Sequence, residues 1–256
     1  MPLQCSCMQS MRLLLQQCFV PILVSDGTDA LLEVEAILSA GFHVLEFTLR
    51  RPDTREMLPE IRRRYPEVVL LVGSVVDSPK MVERLRWRHS QLQTVDELMD
   101  LGVDGLVSMF DFREETYARY GSSKILIPAV STMAEGLRQA ELGASCLKVL
   151  GSFPATLSAL GSAPAFQLSP LFVTGGMTPE TMPDAALRGA ALFASGFDIM
   201  TREMEGPADI VRLSEVLRKY RDGALAARRV KYPDLDAILE REDWKEKLPW
   251  PVLLSF

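Results

Sequence analysis

Histidine and cysteine are scarce in this chain. Its 256 residues include only 2 His and 4 Cys. His43 and His89 stand apart from any cysteine or carboxylate at ligand spacing, so the Cys5-x-Cys7 pair lacks the second half of a metal clip. Three of the cysteines, Cys5, Cys7 and Cys18, crowd the start and Cys146 stands alone. That is no framework for a disulfide scaffold, and no metal is expected. A surplus of positive charge is also missing. Lys+Arg number 28 against 34 Asp+Glu, a net charge of −6, and this excludes a dedicated nucleic-acid or anionic-membrane binder. The groups Arg62–Arg64 and Arg84/Arg86/Arg88 then read as solvated helix faces. Long apolar runs are absent too. Residues 11–24, MRLLLQQCFVPILV, are interrupted by Gln16, Gln17 and Pro21 and are too short to span a bilayer. No basic stretch precedes them and no small-residue cleavage site follows. A cytoplasmic protein is the expectation; the lack of acids before Asp26 leaves a weak organellar leader as the alternative.

What is present is an ordinary globular composition, 48% apolar and 24% charged, organised as an alternation. Short apolar runs occur at 19–25, 43–50, 68–76, 105–109, 124–131, 146–150, 171–174 and 191–195. Nearly all are separated by helical patterns, beginning with Thr28 to Ala40 and its stop at Gly41. The stretch from Pro79 to Gly105 is long enough for two helical pieces. Alternation of this kind predicts parallel strands joined by right-handed crossovers, and eight strands in this length predict a (β/α)8 TIM barrel. A doubly wound open sheet is the fold alternative. The barrel is expected over residues 1–229, with a helix from about Ala208 to Arg229. The stretch 230–256 carries Trp244, Trp250, Pro233, Pro249 and Pro251 and reads as a helical and extended C-terminal tail. It is expected either to pack on the barrel or to form an oligomer contact, with packing favoured for its aromatics.

The strand HVLEFTLR places His43, Leu45, Phe47 and Leu49 on one face, and Val44, Glu46, Thr48 and Arg50 on the other. The second face would carry a carboxylate, a hydroxyl and a guanidinium into the barrel. Burying Glu46 alone would force it neutral, so a Glu46–Arg50 ion pair is the bland reading. In CLKVL, Lys148 shares a face with Cys146 and Leu150. It either reaches the barrel mouth to pair with a carboxylate or serves as a desolvated neutral amine able to attack a carbonyl. Cys146 reads as a small core residue. In LFVTGGMT a strand runs into Gly175-Gly176 before a helix, an anion site or a plain tight turn. Ala194-Ser195-Gly196-Phe197 ends the next strand, and barrels often build phosphate sites from these last two loops.

The blocks VLEFTLR, LIPAVSTMAEGL, GASCLKVLGSFPA and TGGMTPE, in this order from about Phe19 to Ser195, resemble the 2-keto-3-deoxy-6-phosphogluconate / 4-hydroxy-2-oxoglutarate aldolases. The resemblance implies a (β/α)8 barrel, a homotrimer, and a class I aldolase of carbohydrate metabolism that needs neither metal nor cofactor. It implies that Lys148 is the Schiff-base lysine and Glu46 the general acid/base. It implies further that Arg50 lies near the carboxylate of a 2-oxo acid substrate, and that Thr174, Gly175, Gly176 and Gly196 line the substrate and phosphate site. The departures are local. A glycine-rich turn reads Val72-Gly73-Ser74-Val75, with Val75 where a substrate-facing threonine is expected. Ser108-Met109-Phe110-Asp111 replaces a proline-containing turn, Leu150-Gly151-Ser152 intervenes before Phe153-Pro154, Phe197 replaces a serine, and Ser25 stands where an arginine often ends the first strand. These departures predict a changed substrate.

The expected activity is cleavage of a 4-hydroxy-2-oxo acid, phosphorylated or not, to pyruvate and an aldehyde, a carbon–carbon lyase reaction. Two alternatives stay open. One is a catalytically silent homologue binding an organic acid or a protein partner. The other is an oxaloacetate decarboxylase using the same imine.

Overall fold

A computed structural model describes residues 7–24, 28–162, 167–251 and 253. Eight strands form one parallel sheet: β1 Phe19–Leu23, β2 Val44–Thr48, β3 Val69–Val75, β4 Gly105–Ser108, β5 Ile125–Ile127, β6 Leu147–Leu150, β7 Leu171–Thr174 and β8 Ala190–Gly196. Their order is β5-β4-β3-β2-β1-β8-β7-β6. The two ends meet just beyond β5, where Ala129 bridges Lys148. There Lys148 N donates to Pro128 O at 2.8 Å and Val130 N to Lys148 O at 2.9 Å. The sheet is thus a (β/α)8 barrel rather than an open doubly wound sheet.

The crossovers follow local sequence rules. The helix Ala30–Ser39 is capped by the Asp29 side chain, which accepts from Leu31 N; the cap, not Thr28, sets its start. It ends at Gly41 with φ +80°, and Phe42 N closes back on Ile37 O at 3.1 Å. Between β3 and β4 lie two helices, Pro79–Leu85 and Val95–Asp100, the second begun by a reciprocal Thr94–Glu97 capping box.

Two apolar layers sandwich the strands. Leu45, Phe47, Leu49, Leu70, Val72 and Leu106 face the helices. Val20, Ile22, Val44, Leu71, Ile127 and Phe172 fill the barrel and continue into a plug at its N-terminal end. One part of that plug is a helix the sequence did not suggest, Cys7–Gln17, which contributes Met11, Leu14 and Leu15. Its last residue repairs the strand edge: Gln17 Nε2 donates to Phe19 O and Val44 O, while Oε1 accepts from His43 N and Val44 N, all within 2.9 Å.

The C-terminal stretch supplies the rest of the plug. The helix Ile210–Lys231 leads to a short helix at Leu235–Leu239 and a 3-10 turn at Trp244–Lys247. Trp250 is 1% exposed and packs on Tyr232 with ring centres 5.3 Å apart. Buried Arg228 pairs with Asp236 at 2.6 Å, and Arg12 Nε donates to Leu239 O at 2.8 Å. The N-terminal end is therefore devoted to packing, which leaves chemistry to the C-terminal mouth.

Cys7, Cys18 and Cys146 are free thiols; Cys5, and with it the Cys5-x-Cys7 pair, lies outside the described residues. Cys146 faces the barrel interior, where burial raises its pKa. Among the described residues no helix is long and apolar enough to cross a membrane.

Candidate active site

Strand β2 carries the first functional group. Its alternation puts Leu45, Phe47 and Leu49 in the outer layer and Val44 in the inner one, so Glu46 and Thr48 point inward and are buried. Glu46 finds room because its neighbour on β3 has no side chain. A Cβ on Gly73 would lie 1.8 Å from Glu46 Oε1 and 2.6 Å from its Cδ. The carboxyl group therefore lies flat across the Gly73 α-carbon. Burial pushes the Glu46 pKa up, against the opposing pull of the Lys148 and Arg50 charges. Glu46 Oε2 is buried without a hydrogen-bond partner among the described residues. A carboxyl group held this way binds its proton more tightly than usual and keeps an oxygen available for an incoming group.

Lys148 is the second group. It sits in register with Phe172 of β7, faces inward beside Cys146, and is 4% exposed. Its Nζ donates to Ser108 O at 3.2 Å and contacts Met109 Sδ at 3.4 Å. Burial lowers its pKa; the Glu46 charge opposes that and the Arg50 charge reinforces it. Neither the carbonyl nor the thioether neutralises an ammonium, so burial disfavours the charged form. A buried acid pushed up and a buried amine pushed down, each affecting the other, are the kind of pair that marks a candidate catalytic site.

The anticipated Glu46–Arg50 ion pair does not form. Arg50 is exposed at the end of β2, its Nε donates to Thr48 Oγ1 at 3.3 Å, and no carboxylate among the described residues pairs with it. Thr48 Oγ1 also shares a 2.8 Å hydrogen bond with Ser74 Oγ. Ser74 has φ +61° and sits at a β-bulge between Gly73 and Val75. The bulge reverses the alternation. Val75, expected to face substrate, joins the outer apolar layer, and Ser74 presents a hydroxyl beside Thr48.

The loops after β6 and β7 are packed together. Of the intervening residues, Leu150 ends β6, and Gly151 and Ser152 form a turn in which Gly151 N donates to Thr174 O at 2.8 Å. A Cβ on Gly151 would lie 2.7 Å from Gly175 O, so the close approach requires glycine there. Gly175 and Gly176 have φ of +85° and +74°, and Thr174 is buried at the end of its strand. Gly196 ends β8, and Ser25 lies outside the described residues. Glu46, Thr48, Lys148, Thr174 and Gly196 thus belong to strand positions opening on one barrel mouth, with Arg50 at its rim. Sequence reasoning missed the role of Gly73, the Ser74 bulge and Met109. The interrupted glycine pattern around Gly73 was the one visible signal.

Fold and site together define the class: a (β/α)8 barrel with a desolvated amine and a desolvated carboxylic acid on its inner wall. No family profile matches the chain. It is 27% identical over 170 residues to the 2-dehydro-3-deoxy-6-phosphogalactonate aldolase of Escherichia coli K12, covering 64% of this chain and 76% of that one. It is 25% identical over 216 residues to the 2-dehydro-3-deoxy-phosphogluconate aldolase of Zymomonas mobilis, covering 81% and 94%. The fold matches the Legionella pneumophila KDPG aldolase, solved with pyruvate captured as a covalent carbinolamine. That match has a TM-score of 0.61 at 20% identity and covers 82% of this chain and 97% of the other. The chain thus resembles the KDPG and KDPGal aldolases at modest identity, as a divergent relative would. Both curated relatives are aldolases, which are lyases.

Proposed function

We propose that the protein is a class I aldolase that cleaves a 4-hydroxy-2-oxo acid into pyruvate and an aldehyde. The neutral amine of Lys148 attacks the C2 ketone, and loss of water leaves a protonated imine. Glu46 gives its proton to the departing water, and the resulting carboxylate takes the proton from the C4 hydroxyl as the C3–C4 bond breaks. The aldehyde departs, and the bonding electrons flow into the imine to form an enamine. Protonation at C3 and hydrolysis of the imine release pyruvate and restore the amine. Arg50, exposed at the rim and unpaired among the described residues, holds the substrate carboxylate by charge-assisted hydrogen bonds. Thr174, Gly175, Gly176 and Gly196 line the far side of the substrate. By the family resemblance, the protein works as a homotrimer in the cytoplasm.

The observation that carries this reading is the burial of Lys148 and Glu46 on one inner wall, each without an ion pair among the described residues, with burial pushing the lysine pKa down and the glutamate pKa up. Support also comes from the carbonyl and thioether that hold the Lys148 amine without charging it. Borohydride reduction in the presence of pyruvate should attach one reduced pyruvate to Lys148 in the wild type and none in Lys148→Ala. An unlabelled lysine, or a label that survives the substitution, contradicts the reading. A silent homologue would bind an organic acid, seen as a melting shift, without this label.

A further inference from the structure

The rim between β8 and β1 carries an acid whose place is set by the backbone beneath it. Gly196 faces the barrel axis, as Leu192 and Ala194 do below it. Gly196 and Glu46 are both in register with Ile22, so they stand at one level on the wall. Two strand spacings, about 10 Å, separate their backbones. Over Gly196 folds the side chain of Asp198. A Cβ on Gly196 would lie 2.2 Å from Asp198 Oδ1 and 2.7 Å from Val24 Cγ1. The carboxylate therefore lies on the inner lip of the mouth, against the end of β1. No hydrogen bond or ion pair among the described residues engages it.

The loops after β1, β7 and β8 themselves bring no lysine or arginine to offset that charge; Arg50 is a cation on the same rim, at the end of β2. Between Arg12 and Arg50 there is no lysine or arginine. From Leu171 to Leu187 the charged residues are Glu180 and Asp184, and from Gly189 to Thr201 the single charged residue is Asp198. Arg188 is held by Asp184 at 2.8 Å. Arg202, the first cation beyond, lines a groove with Glu203, Glu215 and Lys219. Barrels that bind phosphate use the loops after strands 7 and 8 with the start of a short extra helix. Here that helix is Phe197–Met200, and it brings a carboxylate. Asp198 is exposed at this lip, and a phosphate dianion placed beside its carboxylate meets like charge where a phosphate site would supply donors.

We propose that Asp198 is a specificity-determining residue that rejects an anionic tail and selects a 4-hydroxy-2-oxo acid whose aldehyde half ends in neutral hydroxyl groups. A hydroxyl donates its proton to the carboxylate, whereas phosphate offers only acceptors and charge. This rests on the aldolase reading above and deepens it.

The test compares kcat/KM for the six-carbon 2-keto-3-deoxy sugar acid with and without its 6-phosphate. The wild type should prefer the neutral-tailed compound by roughly a hundredfold. Asp198→Asn, of the same shape, should reduce that preference about tenfold or more through a gain on the phosphorylated compound; Asp198→Ser repeats the comparison with a smaller side chain. Both variants should still take the pyruvate–borohydride label on Lys148, because that reaction has no tail to discriminate. A labelled enzyme that prefers the phosphorylated compound, or whose preference is unchanged in both variants, overturns the role of Asp198 alone. An unlabelled wild type overturns the aldolase reading and this proposal together.

Discussion

Replacing Gly73 by alanine tests the seat of the Glu46 carboxyl, the proposed acid/base, without touching a polar atom. The new methyl carbon would stand 1.8 Å from Glu46 Oε1, and ordinary contact begins at 3.4 Å, so the carboxyl group must retreat by about 1.6 Å. A misplacement of that size costs roughly 10²-fold in turnover. The effect on stability is smaller. Alanine removes the backbone entropy penalty of glycine in a strand, about 0.5–1 kcal/mol, against an overpacking cost of about 1–3 kcal/mol. A melting temperature lowered by a few degrees is expected. Pyruvate release from a 4-hydroxy-2-oxo acid measures the loss, and the borohydride label on Lys148 reports that the amine is intact. Because the methyl acts through Glu46, adding Gly73→Ala to Glu46→Gln should cost little beyond Glu46→Gln alone. Wild-type turnover in Gly73→Ala, or fully additive losses in the double variant, would refute the reasoning.

Two further predictions concern stability. Glu33 is fully buried beneath Arg51 and Thr28, and burial pushes its pKa up to about 7, outweighing the Thr28 hydrogen bond and the Arg51 charge that lower it. Its native pKa exceeds the unfolded value, so the native state keeps a proton that the unfolded chain has lost. Stability should fall as pH rises from about 4.5 to about 7, by roughly 3 kcal/mol, and Glu33→Gln should flatten that slope in urea titrations at pH 5 and 8; an unchanged slope contradicts the assignment. At the opposite end of the barrel, Trp250→Ala should cost roughly 3–5 kcal/mol while leaving the Lys148 label intact. A loss below about 1 kcal/mol would mean that the C-terminal stretch does not close the barrel end.

The alternation of short apolar runs with helical patterns was enough to anticipate the barrel, because period-2 and period-3.6 signals are local. The same local rule placed Glu46 and Thr48 inward on β2 and Lys148 inward on β6. It failed where the backbone breaks its own period. The bulge at Ser74 reverses the faces, so the residue presented to the site is Ser74 and the one sent outward is Val75. The helix Cys7–Gln17 was hidden because it runs into β1 through Cys18 at φ +64°, leaving no glycine or proline to mark the boundary. The position of Glu46 over Gly73 joins two strands far apart in sequence, and no pattern within either one records it. Asp198 was obscured for a similar reason: its place depends on a four-residue helix turning back over Gly196. The Glu46–Arg50 pair was the natural guess from spacing, but Arg50 sits at the rim, where its hydrogen bond goes to Thr48 instead.

The central claim is that Lys148 is a nucleophilic amine in a pocket that accepts a 2-oxo acid. Incubation with pyruvate and borohydride, followed by peptide mass spectrometry, tests it most directly. One reduced pyruvate on Lys148, absent from Lys148→Ala and from wild type without pyruvate, is the predicted result. A protein that binds pyruvate yet leaves Lys148 unmodified would contradict it.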